Sequence, residues 1–256
     1  MRAALVALCL AGCRLHFDDV VADARQDPDV PTGHDEDGDG VPDELDTCPH
    51  LAAPQDDGDG DGVGDACDPE PALGRQQLAL FDPLVTGAGW TVISATWTET
   101  GDAFRYDANV FGELRRPFAM QHGVVEIGVN ILARTGGSQH QVSLSVHDSV
   151  MSPYHYVEVY EPNNGAGYAA VSEHEGASVY TPVAVTNIAN GLQTGPLVVR
   201  FTIAPLQPTL SIFASWPGEP YTAMLDVPGY AGGANIGIGT QGVMLELEYL
   251  VVITTR

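Results

Sequence analysis

The sequence contains no lysine, and its ten basic residues are all arginines, against 34 aspartates and glutamates among 256 residues. The formal net charge is therefore −24. Nucleic acids and anionic membrane surfaces are bound through clustered lysines and arginines. This shortage of positive charge argues against a nucleic-acid partner and against direct electrostatic binding to a membrane surface.

The chain also lacks an N-terminal hydrophobic run long enough for a transmembrane helix. The apolar stretch from Ala3 to Ala11 follows a single basic residue, Arg2, and is shorter than the roughly 20 residues that span a bilayer. Such a short apolar stretch behind a basic residue is typical of an export signal. We therefore predict a signal peptide over residues 1–12.

The end of this segment reads Leu10-Ala11-Gly12-Cys13, which resembles a bacterial lipobox. The resemblance implies cleavage before Cys13 and attachment of lipid to it, the alternative being an ordinary signal peptide beside a chance cysteine. Residues 13–34 have few large apolar residues and many acids, which predicts a flexible tether. Arg14, rather than an aspartate, follows the cysteine, which favours the outer membrane or cell surface over the inner membrane.

Only four cysteines occur, and they lack the CxxC or histidine-pair spacing of a zinc site. Cys9 would leave with the signal and Cys13 would carry lipid. The remaining two, Cys48 and Cys67, are expected to form a disulfide in an oxidising compartment.

Acidic residues are abundant, and two 12-residue runs order them regularly, at 35–46 and 57–68. Each run has aspartate at positions 1, 3, 5, 9 and 12 and glycine at position 6, the ligand pattern of a calcium loop. The predicted ligands are the carboxylates of Asp35, Asp37, Asp39, Asp43 and Asp46 with the Val41 carbonyl, and those of Asp57, Asp59, Asp61, Asp65 and Asp68 with the Val63 carbonyl. The alternative is a solvated acidic linker. Prolines around both runs exclude the flanking helices of an EF-hand.

The segment over about residues 35–70 resembles a thrombospondin type 3 repeat. The matching residues are Cys48-Pro49, Gln55 and Gly64-Asp65-Ala66-Cys67-Asp68. The spacer after Cys48 is one residue shorter than in the family pattern, and Ala52-Ala53 stand where an asparagine is expected. The resemblance implies a calcium-binding segment, and Ca²⁺ is the only cofactor we predict.

From about residue 76 to 256 the sequence predicts an all-β domain. Apolar residues alternate with polar ones in several segments, as in sheets with one buried face. The residues predicted to point inward are Val125, Ile127, Val129 and Ile131; Val142, Leu144 and Val146; Leu197, Val199, Phe201 and Ile203; and Leu245, Leu247, Tyr249, Val251 and Ile253. No convincing amphipathic helix appears, so we expect an antiparallel two-sheet sandwich.

The last strands resemble those of concanavalin A-like or laminin-G-like jelly rolls. The resemblance lies in the segment Gly233-Ala234-Asn235-Ile236-Gly237-Ile238-Gly239, followed by a long closing strand over 244–254. An immunoglobulin-type sandwich is the main alternative. The fold alone does not define the function, because such sandwiches include lectins, adhesion modules and glycoside hydrolases.

No convincing catalytic residues emerge from the sequence. The pair Glu246 and Glu248 is the nearest match to the two carboxylates of a retaining hydrolase, but it lacks the Glu-x-Asp-x-x-Glu spacing typical of sandwich-fold hydrolases and is interpreted as part of a solvent face. Glu173-His174-Glu175 is interpreted as a loop. Aromatic candidates for sugar stacking are Trp97, Tyr154, Tyr156, Trp216 and Tyr221, although a position in the core or at its rim is the favoured interpretation of each.

These features lead to one functional hypothesis and two alternatives. The first is a non-enzymatic, lipid-anchored envelope protein whose calcium-binding stalk presents a lectin-like sandwich to a carbohydrate or surface-protein ligand, with the membrane reached through the lipid alone. The second is an envelope glycoside hydrolase or another carbohydrate-active enzyme. The third is a purely structural envelope component.

Overall fold

The computed structural model describes residues 33–256 except 102, 138, 148–153, 163–165, 176–178, 189–190, 205–208, 217–218 and 227–231. The predicted signal peptide, the lipidation site at Cys13 and the tether up to residue 32 lie outside the described residues. Residues Gly33–Arg256 form one compact unit.

The described residues contain fifteen β-strands and no helix, so none of their segments is a helix that could cross a bilayer. The strands are β1 (Gln76–Asp82), β2 (Thr91–Ser94), β3 (Trp97–Glu99), β4 (Phe104–Asp107), β5 (Gly112–Met120), β6 (Gly123–Arg134), β7 (Gln139–His147), β8 (Tyr154–Pro162), β9 (Gly167–Glu175), β10 (Val179–Ile188), β11 (Gly195–Ile203), β12 (Thr209–Trp216), β13 (Glu219–Asp226), β14 (Gly233–Gln241) and β15 (Val243–Thr255).

The strands form two sheets. One has seven strands in the order β10-β9-β8-β7-β14-β5-β2, and the other has eight in the order β13-β12-β11-β6-β15-β4-β3, with β1 also paired to β15. All of these pairings are antiparallel. The prediction of an antiparallel two-sheet jelly-roll sandwich is therefore confirmed.

The core lies between the two sheets, and three of the four predicted inward faces form part of it. The residues of β6, β7 and β11 that the alternation assigned to the inside all belong to one buried cluster: Val125, Ile127, Val129, Ile131, Val142, Leu144, Val146, Leu197, Val199, Phe201 and Ile203. Period-two alternation works here because each strand has one face toward the other sheet.

The fourth face, on β15, changes sides at a β-bulge between Leu247 and Tyr249. Leu245 and Leu247 belong to the core before the bulge, whereas Leu250 and Val252 belong to it afterwards. One extra residue in a strand moves every later side chain to the opposite face.

The prediction that Tyr249, Val251 and Ile253 continue the inward face of β15 was therefore wrong. Ile253 instead belongs to a second apolar cluster, on the outer face of the eight-stranded sheet. The bulge thus provides apolar side chains on a sheet face that alternation alone would leave polar.

The acidic segment before β1 covers this outer face. Cys48 and Cys67 form the predicted disulfide, with their Cα atoms 5.8 Å apart. Together with Val63 they pack against Val124 and Ile253. The segment is therefore in apolar contact with the sandwich.

A buried polar network supplements this contact. The Glu126 carboxylate, 3% exposed, accepts hydrogen bonds from Arg200 Nε at 2.6 Å and from the Tyr249 hydroxyl at 3.0 Å. His50 Nε2 of the acidic segment lies 3.5 Å from the same carboxylate. Burial lowers the pKa of His50, and its ring packs against that of Tyr249 at a centroid distance of 5.1 Å.

Candidate functional site

The two acidic loops have the same internal hydrogen bonds, displaced by 22 residues. Asp35 accepts from the N–H groups of Gly38 and Gly40 at 2.9 and 3.0 Å. Asp57 accepts from the equivalent groups of Gly60 and Gly62 at 2.8 and 3.0 Å. The shared pattern shows that the repeat seen in the sequence is also a repeat of backbone structure.

Glycine is required at positions 4 and 6 of each loop for a steric reason. The φ angles are 75° at Gly38, 93° at Gly40, 79° at Gly60 and 93° at Gly62. This left-handed region is strained for residues with a Cβ atom. The tight turns bring alternate aspartates onto one side of the loop.

The first three predicted side-chain ligands of each loop converge. Ligand oxygens of one set lie within 4.8 Å of one another, and so do those of the other; the sets are Asp35, Asp37 and Asp39, and Asp57, Asp59 and Asp61. Within the part of the chain that is described, Oδ2 atoms of Asp37, Asp59 and Asp68 are buried without a hydrogen-bond partner. Buried acceptor oxygens clustered in this way suit a hard cation that takes oxygen ligands.

The aspartates at position 12, Asp46 and Asp68, lie near the same clusters, and the carboxylates within each loop repel one another. Burial, followed by neighbouring carboxylates including Asp46, raises the pKa of Asp37. Burial likewise raises the pKa of Asp68, and the charges of Asp61 and Asp59 add to the rise. A bound cation would relieve this repulsion between like charges.

The aspartates at position 9, which are also predicted ligands, accept backbone hydrogen bonds within their loops. Asp43 Oδ1 accepts the N–H of Glu36 at 2.9 Å, and Asp65 Oδ1 accepts the N–H of Gly58 at 2.8 Å. Each of these bonds joins position 9 to position 2 and closes the loop. Asp43 also contacts His34 Nδ1 at 2.8 Å.

A groove of about 420 Å³ lies on the outer face of the seven-stranded sheet, away from the acidic segment. Its lining combines aromatic rings with amides and carboxyl groups above small residues. The lining residues are Phe111, Tyr154, Tyr156, Tyr160, Tyr168 and Pro182; Glu113, Glu158, Gln139, Gln141 and Gln241; and Ser143, Ser145, Gly237 and Gly239.

The strand register explains the shape of the groove. Glu113 of β5 pairs with Gly239 of β14, Gly239 with Ser143 of β7, and Ser143 with Glu158 of β8. A glutamate therefore stands at each end of a row whose two middle residues have almost no side chain. In the next row the two middle residues are again small, because Gly237 pairs with Ser145, while Arg115 and Tyr156 stand at its ends.

The two floor glycines have no room for a side chain. A Cβ atom at Gly239 would lie 2.5 Å from Ser143 Oγ and 2.9 Å from Phe111 Cζ, and one at Gly237 would lie 2.6 Å from Ser145 Oγ. The isoleucines that alternate with them, Ile236 and Ile238, point into the core. The Gly-Ile alternation that suggested the fold thus also forms the floor of the groove.

Glu158 is the most perturbed acid of the groove. Its carboxyl accepts the Gln141 side-chain amide at 2.8 Å and the Ser172 hydroxyl. Burial raises the pKa of Glu158 to about 7, although the hydrogen bonds from Ser172 and Tyr156 lower it. Burial and the charge of Glu158 also raise the pKa of Tyr168.

Glu113 differs because a cation lies beside it. Arg115 Nη2 donates to Glu113 Oε1 at 2.7 Å. The two glutamates of the groove are therefore in different environments, one paired with an arginine and the other buried among hydroxyl and amide donors.

The sequence identified only part of this groove. Of the proposed stacking residues, Tyr154 and Tyr156 line it, whereas Trp97 is buried against the rings of Phe104 and Tyr106, and Tyr221 packs against the core. The Trp216 side chain lies outside the described residues. The sequence signal that could have located the groove is the outer face of β8. There Tyr154, Tyr156, Glu158 and Tyr160 occupy alternate positions, and Val157 and Val159 between them point into the core.

The other acidic candidates do not lie in the groove. Glu173-His174-Glu175 belongs to strand β9 and not to a loop, and the His174 ring stacks on that of Tyr154 at 4.8 Å. Glu246 is on β15 of the other sheet, where it lies 3.7 Å from Arg105 Nη1. Glu246 and Glu248, interpreted from the sequence as part of a solvent face, are both half-buried there.

Comparison with known proteins finds a family model similar to the first part of the acidic segment and solved structures similar to the fold of the sandwich. A family model described as "Thrombospondin type 3 repeat" matches residues 33–55. No curated protein sequence matches the chain significantly. A solved structure that shares the fold of the sandwich is a carbohydrate-binding module, and the predicted resemblance to lectin-like jelly rolls is confirmed.

Three of these structures show how far the resemblance extends. The CBM2 module of the Lactobacillus casei BL23 phage J-1 evolved Dit aligns with a TM-score of 0.54 at 7% identity, over 71% of this chain and 96% of that chain. The carbohydrate-binding module CBM66 of Bacillus subtilis gives 0.49 at 11%, over 65% and 96%. The Bacillus licheniformis β-glucanase gives 0.47 at 11%, over 69% and 98%. At these identities the likeness concerns the fold alone.

Proposed function

We propose that this protein binds carbohydrate in the groove of the seven-stranded sheet. The observation that carries the proposal is the lining itself, in which half-buried Tyr160 and Tyr168 stand beside amide and carboxyl side chains over a floor of glycine and serine. A sugar ring has an apolar face that packs on an aromatic ring and hydroxyls that need hydrogen-bond partners. The centroids of the two tyrosine rings lie 5.2 Å apart with their planes tilted by 35°, so the rings form an aromatic pair beside the polar groups.

The position of the two glutamates favours binding over glycoside hydrolysis. Three strand spacings separate Glu113 from Glu158, about 14 Å between Cα atoms. Hydrolases hold their two carboxyl groups about 5–5.5 Å or 6.5–9.5 Å apart. Glu158 is held over its own strand by Ser172 of β9 on one side and Gln141 of β7 on the other, so its carboxyl does not lean toward Glu113.

We further propose that the acidic loops hold Ca²⁺ and that the protein is exported, lipidated at Cys13 and displayed on the outer membrane or cell surface, where binding would support adhesion. The convergent aspartates support the first part. The Cys48–Cys67 disulfide supports export, because such bonds persist in oxidising compartments. Lipidation rests on the lipobox-like sequence.

Replacing Tyr168 by alanine should weaken glycan binding at least tenfold, because it removes half of the paired aromatic surface; loss of one binding hot spot costs about 2 kcal/mol. A glycan array with the full-length chain would first identify a ligand, and calorimetry would compare the variants. Phe213→Ala is a matched control, since Phe213 is a half-buried aromatic residue on the other sheet, beside Arg200.

Equal binding by the wild type and Tyr168→Ala, with or without weakening by Phe213→Ala, would contradict the assignment of the site. Release of new reducing ends from a bound glycan, lost in Glu158→Gln, would replace the proposal by the hydrolase alternative.

A further inference from the structure

The two acidic loops have the same internal hydrogen bonds but differ in how they contact the sandwich. Val63, at position 7 of the second loop, is fully buried in the cluster formed by the disulfide and the outer face of the eight-stranded sheet. Val41, at position 7 of the first loop, is only half-buried and does not belong to that cluster. The second loop alone thus inserts its valine between the disulfide and the sheet.

The aspartate at position 5 shows the same difference. Asp61 Oδ2 accepts the backbone N–H of Gln76 at 2.7 Å. Its counterpart, Asp39 Oδ2, accepts the side-chain amide of Gln55 at 3.2 Å, a bond within the acidic segment. Gln76 is the first residue of β1, is 1% exposed and pairs with Thr255 of β15. A predicted ligand of the second loop is therefore bonded directly to the sandwich.

Gly64 gives the second loop a further connection. A Cβ atom there would lie 2.7 Å from Cys48 Sγ and 2.6 Å from Thr47 Oγ1, so the loop backbone lies directly against the disulfide.

We propose that cation binding by the second loop stabilises the jelly-roll sandwich, whereas cation binding by the first loop acts only within the acidic segment. This inference rests on the proposed calcium binding and goes beyond it. A ligand that binds only the folded loop stabilises whatever folds together with that loop. Through Val63, Asp61 and Gly64, the structure that folds with the second loop includes β1, β15 and the outer face of their sheet.

The inference changes the expected effect of calcium removal. A stalk separate from the sandwich would loosen on chelation and leave the sandwich unchanged. With the second loop built into the sandwich, chelation should instead lower the unfolding temperature of the sandwich itself and expose the N–H of Gln76 to exchange with solvent.

The test uses two matched variants of the full-length chain, Asp37→Asn and Asp59→Asn. These residues are equivalent, and each accepts the N–H two residues further on, at 3.0 and 3.3 Å; neither hydrogen bond leaves its loop. Near-ultraviolet circular dichroism of the core aromatic residues would follow thermal unfolding with and without 1 mM Ca²⁺. Calorimetry would measure Ca²⁺ uptake separately.

For a site at ten times its dissociation constant, we expect the wild type and Asp37→Asn to gain roughly 3 to 6 °C on addition of Ca²⁺. Asp59→Asn should gain less than half of that, and hydrogen exchange at Gln76 should become insensitive to Ca²⁺ in this variant alone. Equal gains in the two variants, with Ca²⁺ uptake intact, would overturn the coupling and leave calcium binding standing. Absence of Ca²⁺ uptake by the wild type would overturn both.

Discussion

Replacing both Cys48 and Cys67 by alanine should lower the free energy of unfolding by about 3 kcal/mol, the chain-entropy value for a loop of this size. The two cysteines are 19 residues apart in sequence, and the bond between them restricts the unfolded chain across the spacer and most of the second acidic loop. The same sulfurs contribute to the apolar cluster on the sheet, so loss of their packing acts in the same direction.

Urea denaturation of the full-length chain at fixed Ca²⁺ would measure this change. Reduction of the wild type should reproduce the shift, and the double variant should show no response to the reductant, which separates the disulfide from other effects of the substitutions. An unchanged denaturation midpoint in the double variant would show that the bond does not contribute to stability.

Replacing Glu158 by glutamine should stabilise the protein at pH 8 and leave its stability near pH 4.5 almost unchanged. The pKa of Glu158 is about 7 in the folded protein, against an ordinary value of 4.5, because burial disfavours the charged form. Between pH 4.5 and about pH 7, Glu158 keeps its proton in the folded protein and has lost it in the unfolded chain. The free energy of unfolding of the wild type should therefore fall as the pH rises through this window, by on the order of 3 kcal/mol.

A glutamine at position 158 has no proton to lose and so lacks this pH dependence. The difference in free energy of unfolding between Glu158→Gln and the wild type, measured at several pH values from 4.5 to 8, removes the contributions of all other acids. Glu113→Gln is the control, because it lies in the same row of the same sheet but loses its pairing with Arg115 and should gain no stability at pH 8. A pH-independent difference for Glu158→Gln would contradict the assigned environment.

Much of the sandwich followed from local spacing in the sequence. The inward faces of β6, β7 and β11 were predicted correctly, because a strand between two layers exposes alternate residues to the core. The disulfide could be predicted as well, because two cysteines remained after the signal and the lipobox. The acidic loops could be recognised because the whole ligand pattern of each loop lies within 12 consecutive residues.

The groove could be predicted only in part, because its lining comes from six strands, of which β14 is distant in sequence from both of its neighbours, β5 and β7. Glu113 and Glu158 stand in one row only through the pairing of β5, β14, β7 and β8. Nothing in the sequence near either residue reveals that register. Tyr154 and Tyr156 were proposed as aromatic candidates, whereas Tyr160 and Tyr168 were recognised only in the folded sheet.

The sequence by itself determined the local chemistry of this protein, namely the two aspartate loops with their glycine turns, the pair of cysteines and the alternating strands. Only the tertiary structure decided that β15 changes faces at its bulge, that the outer apolar face so formed is covered by the second acidic loop, and that a groove opens on the opposite sheet. The physical reason is that turns and metal-ligand sets form between residues that are close together along the chain. The tertiary contacts of a side chain depend instead on how strands that are distant in sequence pair and pack.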